Sequence, residues 1–167
     1  MILVHGVAYL IGRGNDAVLA AGIMGAVGLA SLPGRFVLNL LSDRLGSQRL
    51  LGLALASQGA GVVLLLQGVS LGWLVAFVAV YGGAYGAISP LRAAVMADHV
   101  GRRAYGAITA LQGVPVGLSA GLGPVATGWF YDHLGGYGLS FGLCAGAFLL
   151  AGLAVTLTPR PTLSAQR

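Results

Sequence analysis

The residue with the sharpest chemistry is Arg35, which interrupts an apolar run eight positions before the next acid, Asp43 (43 − 35 = 8). At about 1.5 Å of helical rise per residue it sits roughly 12 Å from that acid, near the middle of a hydrocarbon layer about 30 Å thick. An arginine at such depth costs at least ~2.5 kcal/mol on insertion scales and is kept where it faces a polar cavity or a partner. Its planar fork of donors suits a carboxylate bidentately, so the chemistry implied is binding of a small anion. A structural guanidinium, bonded to backbone carbonyls or to an acid outside this chain, is the competing reading. Arg92 lies six residues before Asp98 (98 − 92 = 6), about 9 Å deep by the same rise. From there it can snorkel to an interface, which favours a gate or structural role over substrate contact. Pro90 removes a helix hydrogen bond beside it and predicts a bend, as do Pro115 and Pro124 farther on.

Other polar residues are fewer and less specific. His5, in the middle of the first apolar run, is placed to line a pathway, shuttle a proton or pack. Tyr81, Tyr85, Trp73 and Trp129 divide between cavity lining and interface anchoring. Gln112 and Asn39 can hydrogen-bond across helices. His99 and His133 stand near interfaces without a ligand cluster, so neither a metal site nor a cofactor is expected. Cys144, the one cysteine, lies inside an apolar run and reads as a small buried hydrophobe.

The elements that hold these residues must be membrane helices. The 167 residues are 57% hydrophobic and 8% charged, with no Lys and no Glu, and mean hydropathy is +0.88. A soluble domain carries about 25% charged residues. The 29 glycines belong to a chain dominated by apolar residues without a Gly-X-Y period, which excludes collagen-like and disordered readings. The net charge of +5 comes from nine arginines scattered at the ends of apolar runs, an orientation signal rather than a nucleic-acid patch.

Runs over 17–41, 50–68, 71–97, 105–131 and 138–158 are each long enough to cross. Residues 1–11 rise only about 16 Å, roughly half a bilayer, and lack signal-peptide features. The expectation is therefore an all-α polytopic bundle over 1–158 whose first helix is truncated, followed by a tail over 159–167. The Asp43–Arg49 and Asp98–Arg103 loops and the tail hold six arginines (44, 49, 102, 103, 160, 167), whereas the opposite loops hold one, Arg13. That bias predicts a cytoplasmic C-terminus.

The chain also repeats itself. At an offset of 89 (123 − 34), Gly34 falls on Gly123, Asp43 on Asp132, Leu45 on Leu134 and Gly46 on Gly135. Both segments form the second helix of a three-helix set and finish in Asp-x-Leu-Gly. Three crossings separate them, so their ends emerge on opposite faces, which is the pattern of inverted-topology triplets in secondary transporters.

The stretch Gly34 to Arg49, with Asp43-Arg44-Leu45-Gly46 at its centre, resembles the signature loop of the major facilitator superfamily, Gly-x-x-x-Asp-Arg-x-Gly-Arg-Arg, in its copy between helices eight and nine. Asn39 stands where that family prefers Gly, and Ser47-Gln48 replace a basic pair. Ser89–Gly106 looks like helix ten and its following loop, and Gly123–Tyr137 like the end of helix eleven. The resemblance implies the C-terminal six-helix half of a transporter that moves a small solute by alternating access, with the N-terminal half absent from this chain.

Gly34-Arg35 is similar to the monocarboxylate and oxalate/formate branch, in which an arginine here binds the substrate carboxylate. The lack of any Lys argues against oxalate and for a single carboxylate or other anion. Asp43 and Arg44, with Gly46, Arg49 and Asp98, are then expected to latch the cytoplasmic side, against a bland reading as a solvated loop pair. The implied partners are the bilayer of a cell (inner) membrane, a solute and a possible coupling ion. Two other readings remain open: a non-transporting half that needs its counterpart, and an intramembrane serine protease, faintly suggested by Gly117-Leu118-Ser119-Ala120.

Overall fold

The computed structural model describes residues 1–68 and 70–159, apart from the side chains of 100–104. The tail arginines Arg160 and Arg167, and the side chains of Arg102 and Arg103, lie outside the described residues. In chain order the helices are α1 (Ile2–Gly12), α2 (Ala17–Leu45), α3 (Ser47–Gln67), α4 (Leu71–Phe77), a π turn (Val78–Gly82), α5 (Gly83–Tyr85), α6 (Ile88–Leu134) and α7 (Gly138–Leu157). Among the described residues five helical stretches are long and apolar enough to cross a membrane, namely Ala17–Leu45, Ser47–Gln67, Leu71–His99, Tyr105–Leu134 and Gly138–Leu157, and α1 is a shorter apolar helix.

Helix ends follow caps rather than the limits of the apolar runs. Asp16 starts α2 by accepting from the backbone N–H groups of Val18 (2.8 Å) and Leu19 (3.1 Å). At the far end, Ser42, Asp43 and Arg44 are not a loop but the last helical turn, which stops only at Gly46. Gly46 (φ 86°) and Gly135 (φ 70°) occupy equivalent repeat positions and both adopt positive φ, which L side chains disfavour. Each donates its N–H back four residues, Gly46 to the Ser42 carbonyl (3.0 Å) and Gly135 to the Tyr131 carbonyl (2.9 Å). The repeated glycine is thus the helix stop itself.

The expected single helix over 71–97 is different in detail. Its middle unwinds into the π turn and a non-helical step at Gly86–Ala87, where the Ala87 N–H reaches only three residues back, to Ala84 (3.2 Å). Pro90 has no N–H to offer the Gly86 carbonyl. Beyond it the helical backbone does not stop at Ala97 but runs through the Asp98–Arg103 stretch to Leu134. No proline falls between Pro90 and Pro115, and polar residues alone do not end a helix.

The crossings with the closest backbone approach use small residues, as expected where lipid removes the hydrophobic drive between helices. α3 and α7 pack antiparallel. A Cβ added to Gly152 would lie 2.8 Å from the Gly52 carbonyl oxygen and 3.0 Å from the Ala56 nitrogen. At the end of this interface Gln48 Nε2 donates to the carbonyls of Val155 (2.8 Å) and Thr158 (2.6 Å). Gly152→Leu is therefore expected to separate the pair, at a cost of about 3 kcal/mol. Thermal unfolding in detergent should show a clear fall in Tm, whereas Gly142→Leu, with nothing within 4 Å of its Cβ position, should unfold like the parent.

The two Asp-x-Leu-Gly ends lie at opposite ends of α3. Gly46 leads directly into Ser47, the first residue of α3. Gly135, Gly136 and Tyr131 border a cleft with Leu66, at its last turn. The 21 residues between are about 31 Å of helix, a bilayer core. The outside is greasy: Leu29, Leu32, Phe36 and Leu40 on α2, and Leu111, Val114, Leu118, Leu122 and Val125 on α6, are all more than half exposed. Such helix-spaced apolar stripes are stable against lipid or another apolar surface, not water.

Candidate functional site

α2 carries Ser31 and Arg35 one turn apart, hence on one face. Opposite them the interrupted stretch of α5 and early α6 comes close. A Cβ at Gly34 would collide with backbone atoms of Gly83, and one at Gly86 with the carbonyl of Ser31. This approach shapes a cavity of about 410 Å³, open on one side and lined by Ser31, Arg35, Gln58, Tyr85, Ser89 and Arg92. α2 supplies the first two, α3 supplies Gln58, and the broken helix supplies the rest. Unwound backbone is tolerated at membrane depth where it lines such a cavity.

The electrostatics are one-signed. Two guanidinium groups border the cavity and no carboxylate is among its lining residues. Arg35 is exposed and also borders a second cleft of about 320 Å³ with Leu32, Phe36, Asn39 and Leu40, while Arg92 is half-buried. Ser31 Oγ donates to the Gly28 carbonyl at 2.6 Å, leaving its lone pairs toward further donors. Gln58 is 2% exposed and its Nε2 has no hydrogen-bond partner among the described residues. Phe148 of α7 closes the apolar side.

Of the residues expected to contact substrate, the structure brings Arg35 and Tyr85 together, and adds Arg92, which the sequence favours as a gate. Tyr81 is elsewhere: it is 4% exposed, stacked between Phe77 (5.2 Å) and Tyr85 (6.0 Å), with its Cβ against Gly61. His5 is on the other side of the bundle, where its Nε2 lies 3.0 Å from the Pro124 carbonyl oxygen of α6. A carbonyl only accepts, so Nε2 is the donor in this contact. Gln112 is half-buried on α6. Asp43, Arg44 and Arg49 are exposed at the α2–α3 corner, Asp98 is exposed on α6, and Asp132 is exposed at the opposite end. Gly123 is half-buried, with Met1 Cβ 4.0 Å from its own Cβ position, so α6 meets α1 there.

A second polar cluster occupies the Gly135 end. Tyr131 and Tyr137 stack at 4.5 Å, Tyr137 lies 5.4 Å from the His5 ring, and Arg13 sits 5.8 Å above Tyr9. Tyr9 donates its hydroxyl proton to the Leu65 carbonyl at 3.3 Å. Burial, with Tyr131 and Asp132 adding to it, raises the Tyr137 hydroxyl above its ordinary pKa, so it remains a neutral donor. These contacts tie α1, α3, α6 and α7 together and leave the arginine cavity as the better candidate for a solute.

Ser31, Gln58 and Ser89 are the lining residues that sequence reasoning passes over. Ser31 is legible afterwards as the helical neighbour of Arg35, four residues before it. Gln58 is legible as a lone amide in the middle of the run 50–68.

Comparison with known proteins agrees with this architecture. Residues 8–167 match the family model described as Major Facilitator Superfamily. The chain is 34% identical over 158 residues to monocarboxylate transporter 13 of Bos taurus, covering 93% of this chain and 37% of that protein. It is 32% identical to monocarboxylate transporter 13 of Rattus norvegicus, covering 93% and 36%. It is 28% identical to the agnestins efflux protein AgnL12 of Paecilomyces divaricatus, covering 92% and 35%. The chain thus spans little more than a third of the length of these relatives. This bundle of apolar, membrane-length helices, matched by the family model over nearly its whole length, belongs to the major facilitator superfamily.

Proposed function

We propose that this chain forms one half of a secondary transporter that carries a small organic anion, a monocarboxylate in the first instance, by alternating access. The observation that carries the reading is the cavity with Arg35 and Arg92 on its wall and no acid among its described lining residues. Two guanidinium groups at membrane depth with no acid among the described lining residues are costly and are relieved by an anionic ligand. A carboxylate matches the arginine fork, and two of the relatives, 34% and 32% identical, carry the word monocarboxylate in their names. A second six-helix bundle completes the pathway in this reading, facing the exposed apolar stripes of α2 and α6. The α2–α3 corner with Asp43, Arg44 and Arg49 then faces the cytoplasm of a cell (inner) membrane, as the arginine bias requires, and latches against that bundle. Gly123 and the Pro124 carbonyl bring α6 into contact with Met1 and with His5 of α1.

The test is counterflow of a labelled monocarboxylate by the longer protein that contains this chain, reconstituted in vesicles. Counterflow does not depend on the physiological direction, and the name of the fungal relative contains the word efflux. Saturable exchange competed by other monocarboxylates, and not by neutral analogues of the same size, is expected. Exchange of neutral solutes with indifference to carboxylates would reject the reading.

A further inference from the structure

We propose that Gln58 is a specificity-determining residue of this cavity, donating its amide N–H to a second oxygen carried by the transported carboxylate. The inference rests on the anion reading above and deepens it. α3 is otherwise a packing helix: Gly52 and Gly59 face α7, Gly61 faces Tyr81, and Gln48 ties the α7 end. Gln58 departs from that pattern. Its side chain is 98% buried (100 − 2) and borders the arginine cavity, yet its Nε2 engages no acceptor among the described residues.

A buried amide donor is ordinarily paired, and one left open within a polar cavity marks where an acceptor belongs. The arginines cannot fill that need, since guanidinium groups only donate. The site therefore holds donors of two kinds: the charged forks of Arg35 and Arg92 on its wall for a carboxylate, and the amide of Gln58, buried just behind the wall, which rotates outward to meet an uncharged oxygen. An acid with a keto or ether oxygen near its carboxylate satisfies both, while a plain alkanoate leaves the amide unpaired. A site built to bond a particular polar group rejects the analogue lacking it, because its own buried group is then left open.

The experiment uses the longer protein in vesicles, with matched probe acids: propanoate against 2-oxopropanoate, and butanoate against 3-oxobutanoate. The parent protein should prefer the oxo member of at least one pair by about tenfold in KM, the value of one well-formed hydrogen bond. Gln58→Leu should bring the two members of that pair within about twofold, chiefly by raising KM for the oxo acid, and leave Tm equal or higher, because an unpaired buried polar group has been removed. A purely structural Gln58 would instead lower Tm and slow both acids alike, which overturns the proposal. So would a parent that treats both members of each pair equally, or a Gln58→Leu variant that keeps the oxo preference. Arg35→Ala separates the two levels. If it abolishes uptake of every acid while Gln58→Leu changes only the ratio, both readings stand. If Arg35→Ala leaves uptake unchanged, the anion reading falls and takes this one with it.

Discussion

Replacing Arg35 with alanine is expected to lower carboxylate uptake by about 100-fold, through KM and maximal rate together, with the protein still inserted and folded. Truncating one partner of a desolvated, hydrogen-bonded charge pair costs about 2–5 kcal/mol. Most of that loss falls here because Arg35 borders both clefts on its side of the bundle. Arg35→Lys keeps the charge and loses the fork, so a defect of about tenfold is expected rather than rescue. Arg92→Ala should fall between these, since Arg92 is half-buried and borders the larger cleft only. Vesicle uptake at several concentrations distinguishes the three. Equal uptake by parent, Arg35→Lys and Arg35→Ala would remove the residue from the site.

The second large effect is expected from a single methyl group. At Gly34 an added Cβ would overlap the Gly83 carbonyl oxygen and lie 2.6 Å and 2.7 Å from that residue's C and Cα. Those are backbone atoms of the short α5 segment, which cannot swing aside as a side chain would. Gly34→Ala must therefore push α2 away from the broken helix, moving Arg35 relative to Tyr85 and Arg92. We expect a destabilisation of about 3 kcal/mol and near-complete loss of uptake. Gly28→Ala on the same helix has open space at its Cβ position and should behave like the parent in both thermal unfolding and uptake. Similar behaviour of the two variants would mean that α2 and α5 are not held in this close contact.

The spans were legible because a bilayer imposes length and composition on each helix separately. Arg35 was legible for a related reason: a charge at that depth contradicts its surroundings and needs a use. The paired glycines at 46 and 135 could be aligned from sequence, and the structure shows why they recur, since each terminates its helix at positive φ. The interruption of the helix after Phe77 was less legible. Pro90 signalled a bend, but the π turn at Val78–Gly82 and the step at Gly86–Ala87 arise from close packing of Gly82, Gly83 and Gly86 on α2, a tertiary cause that no local pattern reports. Tyr81 and Tyr85 illustrate the same limit. Four residues apart on an apolar helix, they look equivalent in sequence, yet one is packed against Gly61 and the other opens on the cavity. Gln58 was passed over because an amide in a membrane helix ordinarily bonds to a neighbouring helix, and only the packed structure shows its N–H unpaired.

The most direct test of the whole account is the side on which two aspartates emerge. Asp43→Cys and Asp132→Cys, each in a Cys144→Ser background, place an exposed thiol at the two repeat-related helix ends. A membrane-impermeant maleimide added to intact cells should label position 132 and spare position 43 until the membrane is opened. Labelling of both positions from outside, or of neither until lysis, would contradict two triplets of opposite sense and the shared cavity between them.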